Sequence, residues 1–137
     1  MAKASGLIEF LVENPVAESK VEVSLGGRLK GMNLTVRPMT SQEYNDWQKA
    51  AYKKKRRGNE TEQVFDSLWF TEQIVINCVV EPNFKNADML EKAGCALPQE
   101  FLHKYFLPGE VDHIADFISS LSGFGDDYKL EEKVKNS

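Results

Sequence analysis

The sequence predicts an α+β fold that is predominantly helical, with one β-hairpin packed on a helical bundle around a central buried helix. Three patterns predict it. Residues 20–25 and 32–37 alternate as KVEVSL and MNLTVR on either side of Gly26, Gly27 and Gly31, the pattern of a two-stranded hairpin. Val111, Ile114, Ala115, Ile118 and Leu121 recur at helical spacing and mark an amphipathic helix. Between them, residues 74–80 form the most apolar run, with Asn77 as its only polar residue. No Gly or Pro falls between Thr61 and Glu81, and Phe65, Leu68, Trp69, Ile76 and Val79 lie near one helical face. The expected central element is therefore one long helix from Thr61 to about Val80, closed by Pro82, which disfavours helical geometry in the residue before it.

The other elements follow in order. Ser5 can cap a short helix with an apolar stripe of Leu7, Ile8, Phe10 and Leu11, stopped by Asn14 and Pro15. A helix of two to three turns is unstable alone, so this one is expected to dock on the rest of the domain. In the hairpin, Val21, Val23 and Leu25 share one face, as do Met32, Leu34 and Val36. Thr40 and Glu43 have capping-box spacing ahead of Tyr44, Trp47, Gln48 and Ala51. Residues 53–60 offer nothing to bury and read as a mobile surface loop. Beyond Pro82, Asn86 can cap a short helix that Gly94 ends. Pro98 suits the first turn of another, with Phe101, Leu102, Tyr105 and Phe106 as its apolar face. Leu107, Pro108 and Gly109 read as a hinge, and Gly123-Phe124-Gly125 as the stop of the 111–121 helix. Acidic residues precede lysines in the last twelve positions, an order that suits a helix dipole, with fraying at the end.

At 137 residues, 42% apolar and 28% charged, the chain has the profile of one soluble domain able to bury a core without disulfides or metal. The expected layout is a single domain over 1–137, with the N-terminal helix and hairpin at about 5–38, the helical part at about 40–135, and the basic loop at about 53–60. No membrane span or signal-peptide layout is read, so a cytosolic protein is expected. Cys78 and Cys95 have neither metal nor redox spacing and are expected as reduced thiols, Cys78 as a small core residue.

Charge is uneven along the chain. Residues 1–58 carry eleven basic against six acidic residues, a balance of +5; residues 59–137 carry six against fifteen, a balance of −9. The excess in the first half concentrates in Lys53, Lys54, Lys55, Arg56 and Arg57. Such a run can grip nucleic acid or form a solvated loop. The second reading is favoured, because no base-stacking aromatics are interleaved and the whole chain is acidic.

The sequence offers no catalytic, cofactor or metal site. His103 and His113 match no metal motif, Gly123-Phe124-Gly125 is too short for a phosphate loop, and Ser119, Ser120 and Ser122 lack the setting of a nucleophile elbow. Aromatics are more informative. Most of the fourteen belong in the core, but Phe84, Tyr105, Phe106 and Phe124 stand at helix ends and turns, where partly covered rings serve as anchors for a protein partner. The stripe of Leu7, Phe10 and Leu11 is a second such surface, for a partner or for self-association into a homo-oligomer.

Asn77-Cys78-Val79-Val80-Glu81-Pro82-Asn83-Phe84-Lys85, then Leu107-Pro108-Gly109-Glu110, then Ser122-Gly123-Phe124 before an acidic tail, resemble the XkdN-like tail assembly chaperones of phages and PBSX-type prophages of Gram-positive bacteria. The order of the elements before them is similar too. The resemblance implies a non-catalytic protein of tail morphogenesis that binds the tape measure protein, helps load tail tube subunits, works in the bacterial host cytoplasm and leaves before the virion is mature. A small nucleic-acid-binding regulator using residues 53–57, or a generic protein-binding adaptor, are the competing readings.

Overall fold

The computed structural model describes residues 3–132. Helix α1 (Lys3–Glu13) leads through a 3-10 turn at Val16–Glu18 into the hairpin of β1 (Val21–Ser24) and β2 (Asn33–Val36). Helix α2 (Ser41–Ala51) is followed by β3 (Tyr52–Arg57) and β4 (Glu60–Phe65), then α3 (Ser67–Cys78) and β5 (Val79–Glu81). Helices α4 (Ala87–Lys92), α5 (Pro98–Tyr105) and α6 (Pro108–Ser119) complete the helical part. The fold is thus α+β and mostly helical, as expected.

The core lies between α3, α6 and the first hairpin. Ile74, Val75, Ile76 and Cys78 of α3 pack with Leu34 and Val36 of β2, Leu102 of α5, and Val111, Ile114, Ala115 and Ile118 of α6. The apolar run is buried as expected, but the central helix is shorter than the sequence suggests. Asp66 accepts from the Trp69 amide at 3.0 Å and starts α3 at Ser67 rather than at Thr61, while residues 60–65 belong to a strand. At the other end Val79–Glu81 leaves the helix as β5 and pairs antiparallel with β2, Val36 opposite Val79 and Thr35 opposite Glu81. The hairpin therefore grows to a three-stranded sheet, β1-β2-β5. Val21, Val23 and Leu25 line its core face, but Met32 lies outside the strand and is exposed.

The expected loop at 53–60 is instead most of a second hairpin, β3–β4, with Lys55 opposite Glu62 and Arg57 opposite Glu60. Opposite charges across the strands offset the repulsion within the basic run. The Asp66 amide donates to the Ala51 carbonyl at 2.8 Å, and the rings of Tyr52 and Phe65 meet edge to face, closing its base.

Local chemistry behaves as read at several ends. Thr40 and Glu43 form the reciprocal capping box. Asn86 accepts from the Met89 amide, and Gly94 takes a φ of +74° that a side chain would strain. Pro108 and Gly109 are not a free hinge; they are the first turn of α6, fixed by the Leu107 amide donating to Glu110 Oε1 at 2.7 Å. A π-type turn at Ser120–Phe124 with Gly123 at φ +101° ends α6. Residues 129–132 carry no regular structure, so the expected terminal helix does not form there, and its lysines at 133 and 135 lie outside the described residues. Helix α1 already runs through Ser5, which is not its cap.

Candidate protein-docking surface

The sheet and α6 do not close on each other at one end. They leave a groove of about 870 Å³, with Val36 and Ile114 at its floor and Val23, Leu25, Leu107 and Phe117 on its walls. Val36 and Ile114 are buried, whereas Leu107 and Phe117 remain 54% and 43% exposed. The rim is polar. Arg28, on the 3-10 turn Gly27–Leu29, donates through Nη2 to Glu110 Oε1 and to the Tyr105 carbonyl, both at 2.7 Å. The Leu107 amide, and after it Arg28, hold the Glu110 carboxyl below its ordinary pKa. His113 stands on the rim beside them. An apolar trough with a fixed polar edge is suited to taking the apolar face of a helix.

The anchors expected from the sequence separate into three places. Phe84 is a correction: it is 1% exposed, with the rings of Phe101 and Phe106 each 5.7 Å away, because the turn after β5 folds back under α5. Phe106 is half-buried in that cluster. Tyr105 is exposed along one edge, although its hydroxyl donates to the Ala93 carbonyl at 2.8 Å. Phe124 is 62% exposed and lays its ring 5.2 Å from that of Tyr44, on another side of α6.

Leu7, Phe10 and Leu11 are the third place. Helix α1 was expected to dock on the domain, but Leu7, Ile8, Phe10, Leu11 and Val12 are 56–74% exposed. The cause lies in the connection: Glu18 and Ser19 donate to the carbonyls of Pro15 and Val16, and this turn leads the chain straight into β1. The groove walls were missed in the sequence. Phe117 falls off the 111–114–118–121 face, and that displaced aromatic was the available signal.

Basic residues of the β3–β4 ribbon divide by the pleat. Lys53, Lys55 and Arg57 share a face with Glu60 and Glu62, Arg57 meeting Glu62 at 3.4 Å, and Lys53 lies over the Trp69 ring and 3.8 Å from Asp66. Lys54 and Arg56 stand opposite Gln63 and Thr61 on the other face. The two histidines are separate: His103 pairs with the buried Glu72 and ties α5 to α3, far in role from His113 at the groove. Cys78 is enclosed in the core, and burial pushes its thiol up to about 12. Among the described residues no helix is long and apolar enough to cross a membrane.

Comparison with known proteins gives two findings. The family model described as phage XkdN-like tail assembly chaperone protein matches residues 7–136. The crystal structure of the protein yqbn superposes with a TM-score of 0.53 at 18% identity, covering 77% of this chain and 85% of that one, a likeness of fold. A search of curated proteins finds no match.

Proposed function

Because the chain belongs to the XkdN-like family of phage tail assembly chaperones, we propose that it binds the tape measure protein, keeps it soluble and assists assembly of tail tube subunits around it. In this reading it acts without catalysis, in the cytoplasm of the bacterial host, and does not remain in the mature virion. A very long helical client with apolar stripes self-associates unless those stripes are covered. The observation that carries the reading is the groove between the sheet and α6, whose apolar walls and polar rim suit an amphipathic helix. Exposed Tyr105 lies next to its rim, and Phe124 with Tyr44 supplies a second apolar contact.

The competing nucleic-acid reading rests on the basic ribbon. It is weakened by Glu60 and Glu62, which stand across from Arg57 and Lys55 and reduce the field a phosphate backbone needs. Co-expression with the cognate tape measure protein tests the proposal. Wild-type chain is expected to move that protein into the soluble fraction, and Phe117→Asp to lose the effect while keeping its fold. A tape measure protein equally aggregated with and without the wild-type chain overturns it.

A further inference from the structure

We infer that the face of the β3–β4 ribbon carrying Lys54 and Arg56 docks the acidic segment Tyr128–Glu132 of a second copy of this chain. The contact lies apart from the groove and does not depend on what the groove holds.

The two faces of the ribbon are unlike. Cross-strand partners share a face, so Lys55 and Arg57 stand with Glu62 and Glu60, while Lys54 and Arg56 stand with Gln63 and Thr61 and with no acid. Among the described residues neither Lys54 nor Arg56 enters an ion pair. At its base the same face presents the rings of Phe65 and of Tyr52, the latter 49% exposed. It therefore offers an apolar seat followed, at steps of roughly 7 Å, by two uncompensated cations.

The chain itself carries a segment of complementary order. Leu130 is 99% exposed, and residues 129–132 have no regular structure to hold them. In an extended conformation Leu130 and Glu132 point to one side, apolar then acid at the same two-residue step that separates Tyr52 from Lys54. Leu130 then seats on Tyr52 and Phe65, and the carboxylates of Glu131 and Glu132 reach Lys54 and Arg56. Asp126 is held by Lys129 at 3.3 Å, whereas Asp127, Glu131 and Glu132 enter no ion pair among the described residues.

The segment comes from a second copy because it leaves its own domain on another side. Phe124 packs on Tyr44 of α2, but Tyr128 lines a hollow with Val16, Lys20 and Val21, so the chain has turned toward β1 before Leu130 is reached. A nucleic acid fits this face less well. Two cations neutralise two phosphates, against about 6–10 in a protein that grips nucleic acid, and the opposite face carries Glu60 and Glu62. One ribbon face against five residues covers less than the roughly 1,200 Å² of a stable complex, so the association is weak, reversible and sensitive to salt.

Sedimentation equilibrium of the full chain at about 50 mM and about 500 mM salt tests the contact. Wild-type chain is expected to self-associate at low salt and at least about tenfold more weakly at high salt. Lys54→Glu with Arg56→Glu, and separately Glu131→Lys with Glu132→Lys, are expected to be folded monomers, since all four positions are exposed. An equimolar mixture of these two proteins is expected to associate again, because each supplies the charge the other now lacks. Leu130→Ala should weaken wild-type association several-fold. A wild type that is monomeric throughout, or a mixture that stays monomeric, overturns the inference. If a charge-reversed protein fails to fold, Lys54→Gln with Arg56→Gln and Glu131→Gln with Glu132→Gln replace the pair, and unchanged association in either overturns it. A monomeric wild type that instead shifts a single-stranded oligonucleotide through Lys54 and Arg56 also overturns it and gives the face to nucleic acid. Solubility of the tape measure protein is a separate readout, and its loss or retention in wild type bears on the groove alone.

Discussion

Arg28 and Glu110, 82 residues apart in the chain, meet at 2.7 Å and pin the loop of the first hairpin to the first turn of α6. The pair lies at the mouth of the apolar groove, so it fixes the spacing of two walls that no backbone bond connects. An ion pair this exposed adds little to stability. Its removal should loosen the loop instead. In Arg28→Ala the melting temperature is expected to stay near wild type while the amides of Leu29, Lys30 and Met32, which donate within that turn, exchange with solvent several-fold faster. Unchanged exchange at those amides would show that the turn holds itself.

Ile76 and Phe84 sit in the core at 4% and 1% exposure, and their substitutions separate packing from surface. Ile76→Asp buries a charge with no partner and should cost about 4 kcal/mol or more. Phe84→Ala leaves a cavity among Phe101 and Phe106 and should cost about 3–5 kcal/mol. Phe124→Ala, by contrast, removes an exposed ring and should cost less than about 1 kcal/mol. Chemical denaturation measures all three, and a Phe84→Ala variant as stable as Phe124→Ala would contradict the described core.

What could be read in the sequence was local. Thr40 with Glu43, Asn86 with Gly94, and the spacing of α6 each state their element within a few residues, and each formed as read. The ends of the central helix were not legible, because β4 and β5 are defined by partners elsewhere. Val79–Glu81 continues the apolar run of α3 and becomes a strand only through its pairing with β2. The run of Lys53 to Arg57 shows no alternation and is a strand only against residues 60–65. The groove was out of reach for the same reason: Val23 and Phe117 come to line it through tertiary packing alone. Phe84 looked like a surface anchor because it follows a turn, but position next to a turn does not determine burial.

Glu43 gives the fold an acid-sensitive joint. Arg37 binds it through two bonds of 2.8 and 2.9 Å, and this, aided by the Thr40 amide, holds its pKa at about 2. A carboxyl whose folded pKa is depressed stabilises the fold above its unfolded pKa of about 4.3 and loses that contribution as pH falls toward the folded value. Between about pH 4.5 and 2 the wild type should therefore lose more stability than Glu43→Gln, with Glu43→Gln the less stable of the two at pH 7. Parallel denaturation curves for the two proteins across that window would remove Glu43 from the account.

Cys78 reports on opening of the core. Its thiol is fully enclosed beside β2, and burial raises its pKa to about 12, so the reactive thiolate is scarce at neutral pH. Its labelling by a thiol reagent should be slow in the native protein and rise in step with unfolding by denaturant. Rapid native labelling at Cys78, located by peptide mapping, would mean that the β2–α3 layer opens on its own.

The basic ribbon adds no buried residue to the core. Its attachment is confined to its base, through the Asp66 amide on the Ala51 carbonyl, the Phe65 ring 5.5 Å from that of Phe70, and Lys53 against Trp69 and Asp66. Residues 53–62 are exposed, and the ions they form are with each other or with Asp66. Replacing residues 54–63 with a short turn that keeps Lys53 opposite Val64 should leave the melting temperature within about 3 °C of wild type. The shortened protein should also keep its tape measure partner soluble, since the groove and α1 are untouched. If the ribbon instead carried the function through nucleic acid, the full chain would shift DNA or RNA in a manner steeply weakened by salt, and Lys54→Gln with Arg56→Gln would abolish that shift. A large drop in melting temperature would place the ribbon in the folding unit, and loss of client solubility without a drop would move the partner surface from the groove to the ribbon.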